Sequence, residues 1–164
     1  MREYIKTCIQ DSIDTKRRLY ENEELLDKIE AAATACITAY KAGGKVLACG
    51  NGGSASDAQH LVGELVGRYK IERFGIAAIA LNSNVAVMTA LGNDYSYDEI
   101  FSKQVRALGK KSDVLFGIST SGNSANIVKA FEQAKKQGIY TVSLTGEGGG
   151  ILKEISDCNI NVPS

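Results

Sequence analysis

Four short polar segments of this chain hold residue types that can do chemistry. The first, Gly50-Asn51-Gly52-Gly53-Ser54-Ala55, follows an apolar run and opens a helical pattern. Its glycines allow close backbone approach to a ligand, and its form matches the permissive G-x-G-x-x-A dinucleotide fingerprint. A nicotinamide site wants an acid at the end of the next strand for the ribose hydroxyls, and the chain places Asn82 and Ser83 there. No G-x-x-x-x-G-K-[ST] occurs either, so a nucleotide site is not expected. The second segment, Ser119-Thr120-Ser121-Gly122-Asn123-Ser124, again joins an apolar run to a helical pattern. Four hydroxyls at a helix N-terminus, where unpaired N–H groups and the positive end of the dipole lie, suit a phosphate. The same residue types also build ordinary turns and caps.

The third segment centres on His60, the only histidine of the chain. Glu64 follows it by four residues, a spacing that stacks both side chains on one helix face, and Asp57 extends the stripe by a turn. Such a stripe serves a metal ion or acid–base chemistry, but a solvated charged face has the same pattern. Two ligands do not complete a zinc site, which takes three or four. In the fourth segment, Gly92-Asn93-Asp94, an amide and a carboxylate either enter a cleft or cap a helix.

The elements that must position these groups follow from periodicity. Residues 1–42 are helical, with Leu25, Ile29, Ala32, Ala33, Cys36, Ile37 and Tyr40 recurring at three- and four-residue steps. A break near Asn22 makes this a helical hairpin, and Gly43-Gly44 ends it. Short apolar runs at 45–49, 76–81, 113–118, 140–144 and 158–162 then alternate with helical patterns at 54–69, 85–90, 97–108, 124–137 and 150–155. That alternation predicts an α/β fold, a parallel sheet with helices on both faces. No linker divides the chain, so 1–164 is expected to be one domain, with an α/β core over 43–164 behind the N-terminal helices. In an open parallel sheet, ligands bind outside the carboxyl ends of strands near the topological switch point, where both the glycine and serine loops would lie.

Composition narrows the function further. Nineteen Lys plus Arg balance nineteen Asp plus Glu in 164 residues, so no global field favours nucleic acid or an anionic membrane. Scattered charges at Met1-Arg2-Glu3-Tyr4-Ile5-Lys6 and the lack of a long apolar run predict a cytoplasmic chain. Cys8, Cys36, Cys49 and Cys158 form no C-x-x-C pair and are expected to be reduced structural thiols, Cys49 included despite its place beside the glycine loop.

In order, Cys49-Gly50-Asn51-Gly52-Gly53-Ser54-Ala55-Ser56-Asp57-Ala58-Gln59-His60, Gly92-Asn93-Asp94-Tyr95 and Gly117-Ile118-Ser119-Thr120-Ser121-Gly122-Asn123-Ser124 resemble the sugar isomerase (SIS) domain family, and within it the phosphoheptose isomerases. The resemblance implies a three-layer αβα sandwich with a five-stranded parallel sheet of flavodoxin-like winding. It also implies a homotetramer with active sites at subunit interfaces. The activity implied is aldose–ketose isomerisation of a phosphorylated seven-carbon sugar, sedoheptulose 7-phosphate to D-glycero-D-manno-heptose 7-phosphate. That reaction opens bacterial ADP-heptose synthesis for lipopolysaccharide or capsule.

Roles follow from the same resemblance. Asn51, Gly52 and Gly53 would contact the sugar chain, Asn93 and Asp94 would line the cleft, and Ser119, Thr120, Ser121 and Ser124 would hold the phosphate. Glu64 would be the catalytic acid/base, would also contact the substrate and, with His60, would bind one zinc ion per subunit. Family members continue into a C-terminal helix whose Gln and His complete the zinc shell, whereas this chain stops at Ser164, leaving two ligands and an expectation of weak zinc binding. The alternative within the family is a non-catalytic adaptor that binds the replication initiator protein, but it lacks a glutamate at the position of Glu64. A sugar-phosphate sensor domain of a transcription regulator ranks below both.

Overall fold

The structure, a computed structural model, describes all 164 residues. Helices α1 (Arg2–Tyr20) and α2 (Glu23–Lys41) form a hairpin that breaks at Asn22, whose side-chain oxygen accepts from the Leu25 N–H at 3.0 Å and caps α2. There follow β1 (Val46–Gly50), α3 (Gly53–Val66), β2 (Ala78–Ala80) and α4 (Val85–Asp94). A 3-10 turn (Tyr97–Glu99) leads into α5 (Ile100–Leu108), β3 (Val114–Ser119), α6 (Ala125–Lys136), β4 (Tyr140–Thr145), α7 (Gly150–Ile155) and β5 (Cys158–Asn161).

The five strands are all parallel, in the order β2-β1-β3-β4-β5. From β1 the sheet grows outward in both directions, so the switch point lies between β1 and β3. Period-two alternation sends side chains into two cores. Leu47, Cys49 and Leu115 join Ile100, Phe101 and Val105 of α5, Ile127 and Phe131 of α6, and Leu152 of α7 on one face. Val46, Val114, Val142 and Ile160 join Leu25, Ala32 and Ala39 of α2 on the other. Covered on both sides, the strands read as continuous apolar runs, and the expected three-layer α/β sandwich with its helical hairpin is the one observed.

Three boundaries differ from the periodicity. The helix expected over 54–69 ends at Val66, where the Arg73 guanidinium donates to the carbonyls of Glu64, Leu65 and Gly67 at 2.6, 2.8 and 3.2 Å. The strand expected over 76–81 shrinks to three residues because it is an edge strand and the Ile76 N–H bonds the Leu65 carbonyl, 2.9 Å, rather than the sheet. The helix expected over 85–90 continues to Asp94, which puts Asn93 and Asp94 in its last turn.

Gly117 of β3 sets how closely α6 lies on the sheet, since a Cβ there would run into the ring of Phe131 and the side chain of Ile127. Gly117→Ala is expected to cost about 1–3 kcal/mol by overpacking. A urea midpoint equal to the parent's would show that α6 has room to move off the strand.

Candidate functional site

Because β1 and β3 pair in register up to Gly50↔Ile118, the loops that leave them emerge side by side at the switch point. The β1 loop is tight: a Cβ on Gly50 would meet the Ser54 carbonyl, and Gly52 sits at φ 57°, a left-handed conformation that glycine adopts without strain. Between these glycines the Asn51 carboxamide makes a reciprocal pair with that of Asn126 in α6. Each Nδ2 donates to the other's Oδ1 at 2.9 Å. Tyr97 Oη donates to the same Asn51 Oδ1 at 3.1 Å. Behind the loop, Asn82 Nδ2 donates to the Gly50 carbonyl, while Asn82 Oδ1 is buried without a partner.

The β3 loop is braced from the β4 side. Gly122 adopts φ 66°, and a Cβ there would collide with the Gly149 carbonyl. The Thr120 carbonyl accepts from the Gly146 N–H at 2.9 Å, the Gly122 carbonyl from the Leu152 N–H at 3.0 Å, and Asn123 Oδ1 from the Ile151 N–H at 2.9 Å. Ser124 is the N-cap residue of α6, yet its hydroxyl makes no cap hydrogen bond and lies 2.9 Å from Ser119 Oγ instead. The α6 N-terminus therefore carries no side-chain cap, and the exposed Thr120 and Ser121 stand beside it. The first N–H groups of α6 are thus left without a side-chain acceptor.

His60 and Glu64 do lie on one face of α3, with Nε2 and Oε1 3.2 Å apart and side chains 76% and 39% exposed. They line a cavity of about 620 Å³ with Asp57, Leu61, Tyr69 and Arg73. No third His, Cys, Asp or Glu joins them in a cluster, so the pair offers two donors where a zinc site takes three or four. That cavity takes in none of the residues of the β1 and β3 loops, and Glu64 stands about 16 Å along α3 from Gly53. Asn93 and Asp94 are exposed, Asn93 Nδ2 donating to Asp94 Oδ1 at 2.9 Å, and neither side chain bonds the β1 or β3 loop.

Asn126, Tyr97 and Arg73 make contacts around these loops and α3 that motif reading does not single out, and Asn82, which stands where a nicotinamide site would want an acid, bonds the Gly50 carbonyl instead. Asn126 left no signal in the sequence, because an asparagine in the first turn of a helix is ordinary. Lys129 of α6 reaches Glu99 at 2.7 Å, ties the turn bearing Tyr97 to α6, and with the Ser102 hydroxyl holds the Glu99 carboxyl below its ordinary value. Cys49 is fully buried, and burial pushes its thiol well up, so it stays protonated and unreactive; Cys36 is raised to about 11 for the same reason.

Residues 10–146 match the family model described as SIS domain. The chain is 48% identical, over 164 residues, to a phosphoheptose isomerase of Sulfurimonas denitrificans, covering 100% of this chain and 84% of that protein. It is 49% identical over 161 residues to phosphoheptose isomerase 2 of Campylobacter jejuni, covering 98% of this chain and 80% of that one. Its fold superposes on the phosphoheptose isomerase of Neisseria gonorrhoeae with a TM-score of 0.93 at 41% identity, over 99% of this chain and 86% of the other. A phosphoheptose isomerase from Francisella tularensis gives 0.94 at 40% identity, over 99% and 85%.

Replacing Ser121 and Ser124 together by alanine is expected to weaken inorganic phosphate binding about tenfold, or about 1.4 kcal/mol, in a calorimetric titration. Unchanged affinity would place the phosphate elsewhere.

Proposed function

The chain belongs to the SIS domain family, among the phosphoheptose isomerases, and from that membership we propose that it interconverts sedoheptulose 7-phosphate and D-glycero-D-manno-heptose 7-phosphate through an enediol. It is a phosphosugar isomerase. The observation that supports a phosphorylated substrate is the braced hydroxyl loop at an uncapped helix N-terminus, set across the switch point from the glycine loop.

Isomerisation needs a remote anchor, a base and something to bear charge on oxygen. The phosphate is anchored by Ser119, Thr120, Ser121 and Ser124 with the N–H groups that open α6, so its binding energy goes into positioning C1 and C2. Asn51, Gly52 and Gly53 line the sugar chain, with Asn93 and Asp94 at the cleft wall. The Glu64 carboxylate takes the proton from C1 and returns it to C2, while the O1 hydroxyl proton passes to O2, so atoms and charge balance. His60 and Glu64 would be two ligands of a zinc ion, which would supply positive charge to polarise the substrate oxygens.

We further propose that the phosphate loop and Glu64 meet at subunit interfaces of a homotetramer. Two features support this: the His60–Glu64 cavity omits both loops, and α1 buries no residue while exposing Ile5, Ile9 and Ile13 at four-residue spacing. Light scattering is expected to give the mass of four chains, and a monomer would remove this assembly. No helix is long and apolar enough to cross a membrane.

The deciding experiment follows the C1 and C2 signals of sedoheptulose 7-phosphate by NMR in heavy water, with and without added zinc. Conversion to the aldose phosphate with deuterium entering at C2 is expected, and zinc stimulation is expected to vanish in His60→Ala. Glu64→Gln is expected to lower kcat by about 10²–10⁴-fold while binding the sugar phosphate within a few-fold of the parent. Retained turnover would remove Glu64 as the base.

A further inference from the structure

The Asn51–Asn126 pair joins residues 75 apart in sequence and spans the switch point, with one member in the sugar-binding loop and the other in the first turn of the phosphate-binding helix. Asn126 is 3% exposed, too enclosed to be a surface asparagine, and its amide is committed to Asn51. A carboxamide has two acceptor positions on oxygen and two N–H groups. Asn126 Nδ2 and Tyr97 Oη take both acceptor positions of Asn51 Oδ1, and Asn126 Oδ1 takes one N–H. One N–H of Asn51 is left without a protein acceptor, on an amide whose orientation the other three bonds fix.

Resting on the isomerase reading above, we propose that Asn126 is a positioning residue. It clamps Asn51 so that the single free N–H meets the sugar oxygens at a set distance from the phosphate anchor. Tyr97 completes the clamp, and the Glu99–Lys129 contact keeps its turn against α6, so three elements converge on one amide. The clamp acts through the Asn126 side chain on the sugar end of the site, while the Asn126 backbone N–H remains with the N–H groups that open α6 and is kept by any substitution other than proline.

The test compares the parent protein with Asn126→Leu, which keeps size and removes both amide bonds, and with Tyr97→Phe, at an exposed position where loss of a hydroxyl leaves folding intact. For Asn126→Leu, kcat on sedoheptulose 7-phosphate is expected to fall about a hundredfold, as for a misplacement of about 1 Å at a reacting centre, with inorganic phosphate affinity within about twofold of the parent. Tyr97→Phe is expected to show the same split with a smaller fall, about three- to tenfold. A kcat near the parent's in both variants, or phosphate affinity lost in proportion to kcat, would overturn the proposal. A parent that binds phosphate but leaves the heptulose phosphate untouched would overturn the isomerase reading instead. The clamp is then decided by NMR hydrogen exchange of the Asn51 side-chain amide. Exchange slow in the parent and at least about tenfold faster in Asn126→Leu supports it, and equal exchange rejects it.

Discussion

The pairing of β1 with β3 is the contact on which the rest of the molecule hangs. From Val46↔Val114 to Gly50↔Ile118 the two strands run parallel and in register, so their carboxyl ends finish at one level. A parallel pair needs a long crossover, and the β1-to-β3 crossover carries α3, β2, α4 and α5 before the chain returns to β1's other side. The glycine loop and the hydroxyl loop, nearly seventy residues apart, become neighbours only through this ladder. Each then feeds a helix whose N-terminus points at the same crevice.

Electrostatics at that crevice come from the backbone more than from charged side chains. The hydroxyl loop holds no Lys, Arg or His, and the chain as a whole is neutral. On the proposed reading, attraction for an anion would rest on N–H groups and the dipole at the start of α6, where Ser124 turns to Ser119 instead of closing the helix end. Such a site works only if its loop is stiff, and here the stiffness is borrowed from the β4–α7 loop through Gly146, Ile151 and Leu152. The left-handed Gly122 lets the two loops touch, which any side chain would prevent.

The opposite end of α3 has a different character. His60 and Glu64 stand near solvent, on a helix that ends where Arg73 folds back to satisfy its last carbonyls. That cap trades a longer strand β2 for an ordered 67–77 segment, and it leaves the His60–Glu64 face open beside Tyr69 and Ile71. In the proposed assembly, the open His60–Glu64 face of one helix and the uncapped hydroxyl loop of another would be halves of a site that subunit association joins.

Most of the architecture was legible in the residues themselves. The 3.6-residue and two-residue periods, the Asn22 break and the Gly43-Gly44 stop are local facts that mark five strands and their covering helices, because amphipathic pattern and cap chemistry act over a few residues. The glycine and hydroxyl loops were legible too, since Gly52 and Gly122 stand where the backbone needs positive φ. The His60–Glu64 pair follows from i,i+4 geometry alone. What the residues could not reveal was every contact made across the fold. Arg73 capping α3, Ile76 leaving the sheet, Asn82 behind Gly50, and Asn126 and Tyr97 meeting on Asn51 bring together groups whose separation in sequence carries no period. Which side chains converge depends on strand order, and strand order was decided by how two apolar faces of one sheet could both be buried. The local sequence wrote the parts of the site, and burial of the sheet chose their neighbours.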